Sequence, residues 1–258
     1  MSERMPTLFV GHGSPMNTVE DNEFTQGWNE IAGTIPKPSL VLCVSAHWYV
    51  PFIKLTAMEE PRTIHDFFGF PSELYELQYP APGSPKSAEM ISESLKEYSI
   101  GLDTSWGLDH GAWSVLKRMY PEADVPVIQL SIDYSQPPRF HYKLGKKLEF
   151  LRDQGVLIIG SGNLVHNLGA MRWDSVYSEY VWAREFEDKI EKSIIDNDDA
   201  SFIDFENFSG IARNAHPTLD HYLPLLYAKG ASTEYDGIKL FNQKIVYGSV
   251  SMTCFKFG

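Results

Sequence analysis

Eight histidines stand at positions 12, 47, 65, 110, 141, 166, 216 and 221. A neutral imidazole is the commonest protein metal ligand, and its proton comes and goes near neutral pH. Several of them brought together would therefore hold a divalent cation, move protons, or both. Three have equivalent surroundings. His12 follows the apolar run Thr7-Leu8-Phe9-Val10, flanked by Gly11 and Gly13, which let the chain turn sharply beside the ring. His47 ends the run Leu40-Val41-Leu42-Cys43-Val44-Ser45-Ala46, and His166 comes after Val156–Gly160 and a Gly-Ser-Gly-Asn turn. Each run reads as a strand. The three histidines then fall just past strand carboxyl ends, the edge where open α/β sheets bind ligands. Convergent polar groups of this kind define a site, and His12 and His47 are the first choices as metal ligands.

The other five carry less. His216 and His221 lie in Ala-His-Pro-Thr-Leu-Asp-His-Tyr, ahead of the apolar run from Leu223 to Ala228. Thr218 reads as a helix N-cap, which puts His221 in the first turn of the helix. Either histidine can supply a third ligand, and spacing favours neither. His110, after Asp109 in a glycine-bracketed loop, can reach a substrate oxygen or stand exposed beside a helix cap. His65 sits in an aromatic loop that reads as packing on the sheet. His141 lies within a helical pattern and reads as structural or exposed.

Strands that must position the histidines are expected at 7–10, 40–46, 125–132, 156–159 and 244–252. The middle three are almost unbroken hydrophobic runs, as in strands covered on both faces. Helical patterns fall between them at 84–98, 138–152 and 178–195, the first two opening on prolines. The alternation predicts an α/β fold with a central mixed or mostly parallel sheet and helices on both faces. No linker, repeat or low-complexity tract divides the chain, so one catalytic domain over 1–258 is expected.

Composition narrows the partners. The net charge of −12 repels phosphate backbones and anionic lipid, which argues against nucleic acid and membrane. No stretch has the roughly 18 apolar residues needed to cross a bilayer, and the first residues lack a signal core followed by a cleavage site. The two cysteines, Cys43 and Cys254, lie in apolar runs and make neither a disulfide framework nor a metal site. A cytoplasmic, reducing location is the expectation. Monomer and homo-oligomer are equally compatible with the sequence. Dinucleotide, Walker, zincin and nucleophile-elbow motifs are absent.

Taken together, these segments resemble the class III extradiol ring-cleavage dioxygenases, in the branch similar to DOPA 4,5-extradiol dioxygenases. The matching stretches are GHGSPM at 11–16, SAHW at 45–48, TIHDFFGFP at 63–71, YPAPGSP at 79–85, WGLDHGAW at 106–113, VIQLSID at 127–133, GSGNLVHNL at 160–168 and TLDHYLPLLY at 218–227. They run in family order over nearly the whole chain. The resemblance implies one divalent metal per chain, with His12 and His47 as ligands and His221 as the third. It implies that His166 is the acid/base, and a possible fourth ligand, and that His110 orients substrate or dioxygen.

Members of the wider class use two histidines and one glutamate, the facial triad of non-haem iron oxygenases. A histidine in the third position leaves the site one charge more positive. Such a set suits Zn(II) as well as the Fe(II) that ring cleavage needs. The implied reaction joins a small aromatic diol with O2, opening the ring beside the diol to give a muconic semialdehyde. Two alternatives use the same residues: a zinc-dependent hydrolase, and a metal-containing scaffold without turnover. Trp48, Phe70, Trp106 and Tyr222 are candidate pocket walls, each equally readable as packing.

Overall fold

The computed structural model describes residues 4–258; residues 1–3 of the expected 1–258 domain lie outside the described residues. Its strands are β1 (Thr7–Gly11), β2 (Leu40–Val50), β3 (Lys54–Thr56), β4 (Gly101–Asp103), β5 (Val127–Asp133), β6 (Val156–Gly162), β7 (Ile238–Phe241), β8 (Ile245–Val246), β9 (Val250–Ser251) and β10 (Cys254–Phe257). The helices are α1 (Glu23–Ala32), α2 (Ser72–Glu76), α3 (Pro85–Ser94), α4 (His110–Met119), α5 (Pro138–Leu148), α6 (Val181–Ile195), α7 (Asp199–Ile203), α8 (Gly210–Ala215) and α9 (Leu223–Gly230). Eight strands form one sheet in the order β4-β3-β5-β2-β6-β1-β10-β7.

The centre of this sheet, β5-β2-β6-β1, is parallel. Every residue of β1, β5 and β6 is buried, which is why these runs show no polar alternation. Successive side chains enter two cores. Phe9, Leu42 and Val44 join the face covered by α5, α6 and α9. Leu8, Val10, Val41 and Cys43 join the face covered by α1 and α4 through Trp28, Ile31, Trp113 and Leu116. The α/β class and the two covered faces are as the sequence predicts. Because the four central strands run together, their carboxyl ends share one edge.

One expectation at the C-terminus is corrected. The run 244–252 is a two-residue-deep hairpin, β8 against β9, instead of one strand. Tyr247 and Gly248 both take positive φ and reverse the chain there. The strand that extends the main sheet is β10, antiparallel to β1 with Phe9 opposite Phe255. Strand β2 also differs, running on to Val50, so His47 lies inside it. Between Val44 and Tyr49 its pairing with β5 shifts register. That irregularity frees His47 from the regular ladder and re-aims its side chain.

His141 proves structural: it is fully buried in α5 and its Nδ1 lies 2.8 Å from the Tyr227 hydroxyl. Burial pushes it down to about 4, against about 6.5 unfolded. The unfolded chain therefore takes up this proton first as pH falls, so stability is held above pH 6.5 and is lost on the way to pH 4. The loss at pH 5 comes to about 2 kcal/mol from this one group. A His141→Gln protein, compared with the wild type in urea melts at pH 7 and pH 5, should lose less stability across that interval by about this amount. Equal losses in both proteins would refute the assignment.

Candidate metal centre

Three imidazoles meet above the carboxyl edge of the sheet. One ligand nitrogen from each of His12, His47 and His221 lies within 4.8 Å of the others. His12 leaves β1 directly, and Gly13 turns the chain beyond it with φ of +60°. The expectation that Thr218 caps a helix carrying His221 in its first turn is not met. Helix α9 begins at Leu223 with Tyr222 as its cap, and His221 belongs to the preceding turn. Pro224 fits the start of that helix because a proline needs no amide partner there. The His221 carbonyl instead accepts from the Asn163 N–H at 3.0 Å, tying the turn to the end of β6. Gly162 permits that approach, since a Cβ there would stand 2.1 Å from the same carbonyl.

Each ring is held from behind. The Ser161 hydroxyl donates to the Gly111 carbonyl at 2.5 Å, so its oxygen accepts from His12 Nδ1 at 3.0 Å. Asp66 accepts from His47 Nδ1 at 3.0 Å, and Asp220 from His221 Nδ1 at 2.6 Å. With a proton on each Nδ1, all three Nε2 atoms carry bare lone pairs. Those of His12 and His47 face each other at 3.2 Å. Two lone pairs that close repel, and a cation between them removes the repulsion. Two nitrogens bound about 2.0–2.1 Å from one ion in tetrahedral fashion lie about 3.3 Å apart, so the residues fit a divalent metal.

The charge missing from the donor set is restored one bond further out, where Asp66 and Asp220 stand behind two of the rings. This pairing fixes ring orientation and raises donor strength. Burial holds His12 and His221 well below the ordinary imidazole range, and neighbouring histidines lower both further. Burial also opposes protonation of His47, but Asp66, Asp109 and Asp220 outweigh it and raise its pKa. Burial likewise disfavours an ionised Asp66, yet hydrogen bonds from His110 and His47 prevail and hold it well below the usual carboxylate range.

The remaining histidines sort clearly. His110 opens α4 behind its cap Asp109, and it is buried, with Nδ1 on Asp66 at 2.9 Å. Its ring centroid lies 3.9 Å from that of His47. His166 lies flat on His221, with centroids 3.4 Å apart and planes 8° apart. Burial pushes His166 down to about 4, Asp220 works upward, and His47 and His110 lower it again. His216 stays apart: its Nε2 donates to the Leu164 carbonyl at 2.7 Å among Phe186, Phe205 and Tyr222. His65 donates to the Leu77 carbonyl at 2.9 Å and packs on Phe67 and Trp113, as expected of a structural loop.

Of the candidate walls, Trp48 and Tyr222 are buried, Tyr222 bonding the Phe202 carbonyl. Trp106 stacks on Trp48 at 5.5 Å, and Phe70 packs against Phe67. Sequence reasoning missed Asp66 and Ser161, and read Asp109 only as a helix cap; that buried carboxylate also accepts from Ser45 at 2.6 Å and Gln129 at 2.7 Å. The HD pair in TIHDFF and the DH pair in LDHGAW were the available hints at the two aspartates, and nothing pointed to Ser161.

A parallel sheet that gathers such a cluster at its carboxyl edge is an α/β fold with its site where such folds place ligands, and the chain belongs to the family of the catalytic LigB subunit of aromatic ring-opening dioxygenase, whose family model matches residues 6–255. Metal binding goes with that family, and the three-histidine cluster provides for it. Among individual proteins, the chain is similar to the 4,5-DOPA dioxygenase extradiol of Escherichia coli K12. The two are 44% identical over 264 positions, covering 100% of this chain and 96% of that protein. The enzyme of the same name from Beta vulgaris is 37% identical over 97% of this chain and 96% of its own length. The crystal structure of an uncharacterised Escherichia coli K12 protein matches with a TM-score of 0.87 at 40% identity, covering 99% of this chain and 100% of that one. The chain is thus an extradiol ring-cleaving dioxygenase that takes an aromatic substrate and O2. Among the described residues, no helix is long and apolar enough to cross a membrane.

Proposed function

We propose that this chain opens a DOPA-like catechol beside its vicinal diol, giving a muconic semialdehyde, with Fe(II) as the working ion held by His12, His47 and His221. The observation that carries this reading is the convergence of three bare Nε2 atoms, each aimed by an acceptor on its Nδ1. When bound, the ion supplies positive charge that favours the ionised diol and, as iron but not as d¹⁰ zinc, an electron path between ring and O2.

The chain's own residues do the rest. His166, neutral in its buried setting, receives a proton from a diol hydroxyl and later returns it to the opened product. His110, with its proton on the Asp66 side, presents Nε2 to orient a substrate or dioxygen oxygen. We assign His166 to proton transfer and not to a fourth ligand position. The His166 ring is stacked nearly parallel on the His221 ring, with centroids 3.4 Å apart, so the lone pairs of the two rings run in separate planes and do not converge on one point. The continuous sheet and the family match support reading 1–258 as one catalytic domain. The two buried free thiols support a reducing, cytoplasmic setting for catechol catabolism.

The test is anaerobic loading with Fe(II), followed by O2 uptake on a panel of catechols that includes DOPA. Uptake of one O2 per catechol with appearance of the semialdehyde chromophore is expected, and zinc-loaded protein should be inert. No uptake across the panel, together with hydrolysis of an ester or amide by the zinc form, would overturn the reading in favour of a zinc hydrolase.

A further inference from the structure

Asp66 sits at a branch point that the ring-cleavage reading leaves unassigned. One of its oxygens lies 3.0 Å from His47 Nδ1. The other accepts both from His110 Nδ1 at 2.9 Å and from the His110 backbone N–H at 2.9 Å. Three donors thus converge on one carboxylate, and they come from β2 and from the first residue of α4. His47 lies in the irregular stretch of β2, and Gly111, the residue after His110, leaves room for the His47 ring: a Cβ at Gly111 would stand 2.8 Å from His47 Cδ2.

We propose that Asp66 is a positioning residue that sets the tautomer and the orientation of two site histidines at once, the ligand His47 and the substrate-facing His110. A carboxylate offers no hydrogen, so both rings must carry their protons on Nδ1 and turn bare Nε2 atoms inward. The inference rests on the metal reading of His47 given above. It also makes a statement about geometry that stands apart from turnover. An isosteric amide separates the two functions. In Asp66→Asn the amide oxygen goes to His110, where two donors wait, and the NH2 group then faces His47 Nδ1. Two N–H groups cannot face each other, so His47 must shift its proton to Nε2 or swing away. Either change removes the lone pair that holds the ion.

The experiment uses the full chain loaded with Zn(II), which is diamagnetic, and ¹⁵N-labelled histidine. Long-range proton–nitrogen spectra should show His47 and His110 of the wild type both protonated at Nδ1. In Asp66→Asn the His47 signature should change, and zinc affinity, measured against a chelator, should fall about 10–100-fold. His110→Ala should bind zinc close to the wild type, because it removes only the other arm of the branch. With saturating Fe(II), Asp66→Asn should lose kcat more than it raises KM. A wild-type ring lacking a proton at Nδ1, or an Asp66→Asn protein that binds zinc as the wild type does, overturns the proposal alone. Wild-type protein that takes up no zinc overturns the metal reading and this proposal with it.

Discussion

His47→Ala, His12→Ala and His221→Ala proteins are each expected to emerge from anaerobic loading with little metal and no measurable ring cleavage. Each substitution removes one of the three imidazole donors that converge there. Loss of a group that merely orients a ligand costs on the order of 10–100-fold in metal affinity, and loss of the ligand itself should exceed that. A second cost adds to the first. Asp66 and Asp220 were paired with the missing rings, and in His221→Ala the half-buried Asp220 carboxylate loses its partner. A partly desolvated charge without its partner costs stability, so the metal-free form of that variant should also melt at lower temperature. His216→Ala is the control, since the His216 ring bonds Leu164 and lies among aromatic rings away from the cluster. Metal content by mass spectrometry and chelator titration decides the matter. A His221→Ala protein that holds iron as firmly as the wild type, with a His216→Ala protein that does not, would reverse the choice that spacing left open and the family resemblance made for His221.

How far that choice was legible follows from what each feature depends on. β1, β5 and β6 could be read directly because strands buried on both faces show it in every residue. α5 and α6 declared themselves through their period and, for α5, an opening proline. The run 244–252 misled because Ile245, Val246, Val250 and Met252 are buried on either side of a tight turn, so their apolar character mimics one strand. Gly248 was the available warning. The short strands β3, β4 and β7 owe their existence to neighbours already in the sheet and carry little pattern of their own.

In the site, His12, His47 and His166 stood out because strand ends locate them. His221 did not, because it reaches the cluster through a turn pinned to β6 by Asn163 and admitted by Gly162. The role of Asp66 was hidden for the same reason: its partners lie at positions 47 and 110, and only the folded chain puts them on one carboxylate.

His166→Ala provides the sharpest division of labour. The ring lies face to face with His221, so it touches the proposed third ligand without aiming a lone pair where that ring aims its own. Removing it should leave the metal bound, with at most a modest loss from the missing stack. Ring cleavage should fall by roughly 10²–10⁴-fold, the usual contribution of a positioned acid/base. The loss should appear in kcat at saturating catechol, because three ligands and His110 still receive the substrate. His166→Gln should not recover the rate, since an amide fills the space and forms hydrogen bonds but cannot take up a proton at neutral pH. Binding of the catechol should remain visible as a spectral change in the Fe(II) form, uncoupled from O2 uptake. Should His166→Ala instead lose its metal to the same extent as His47→Ala, the stacked ring is a ligand, and the proton must be carried by His110 through its tie to Asp66.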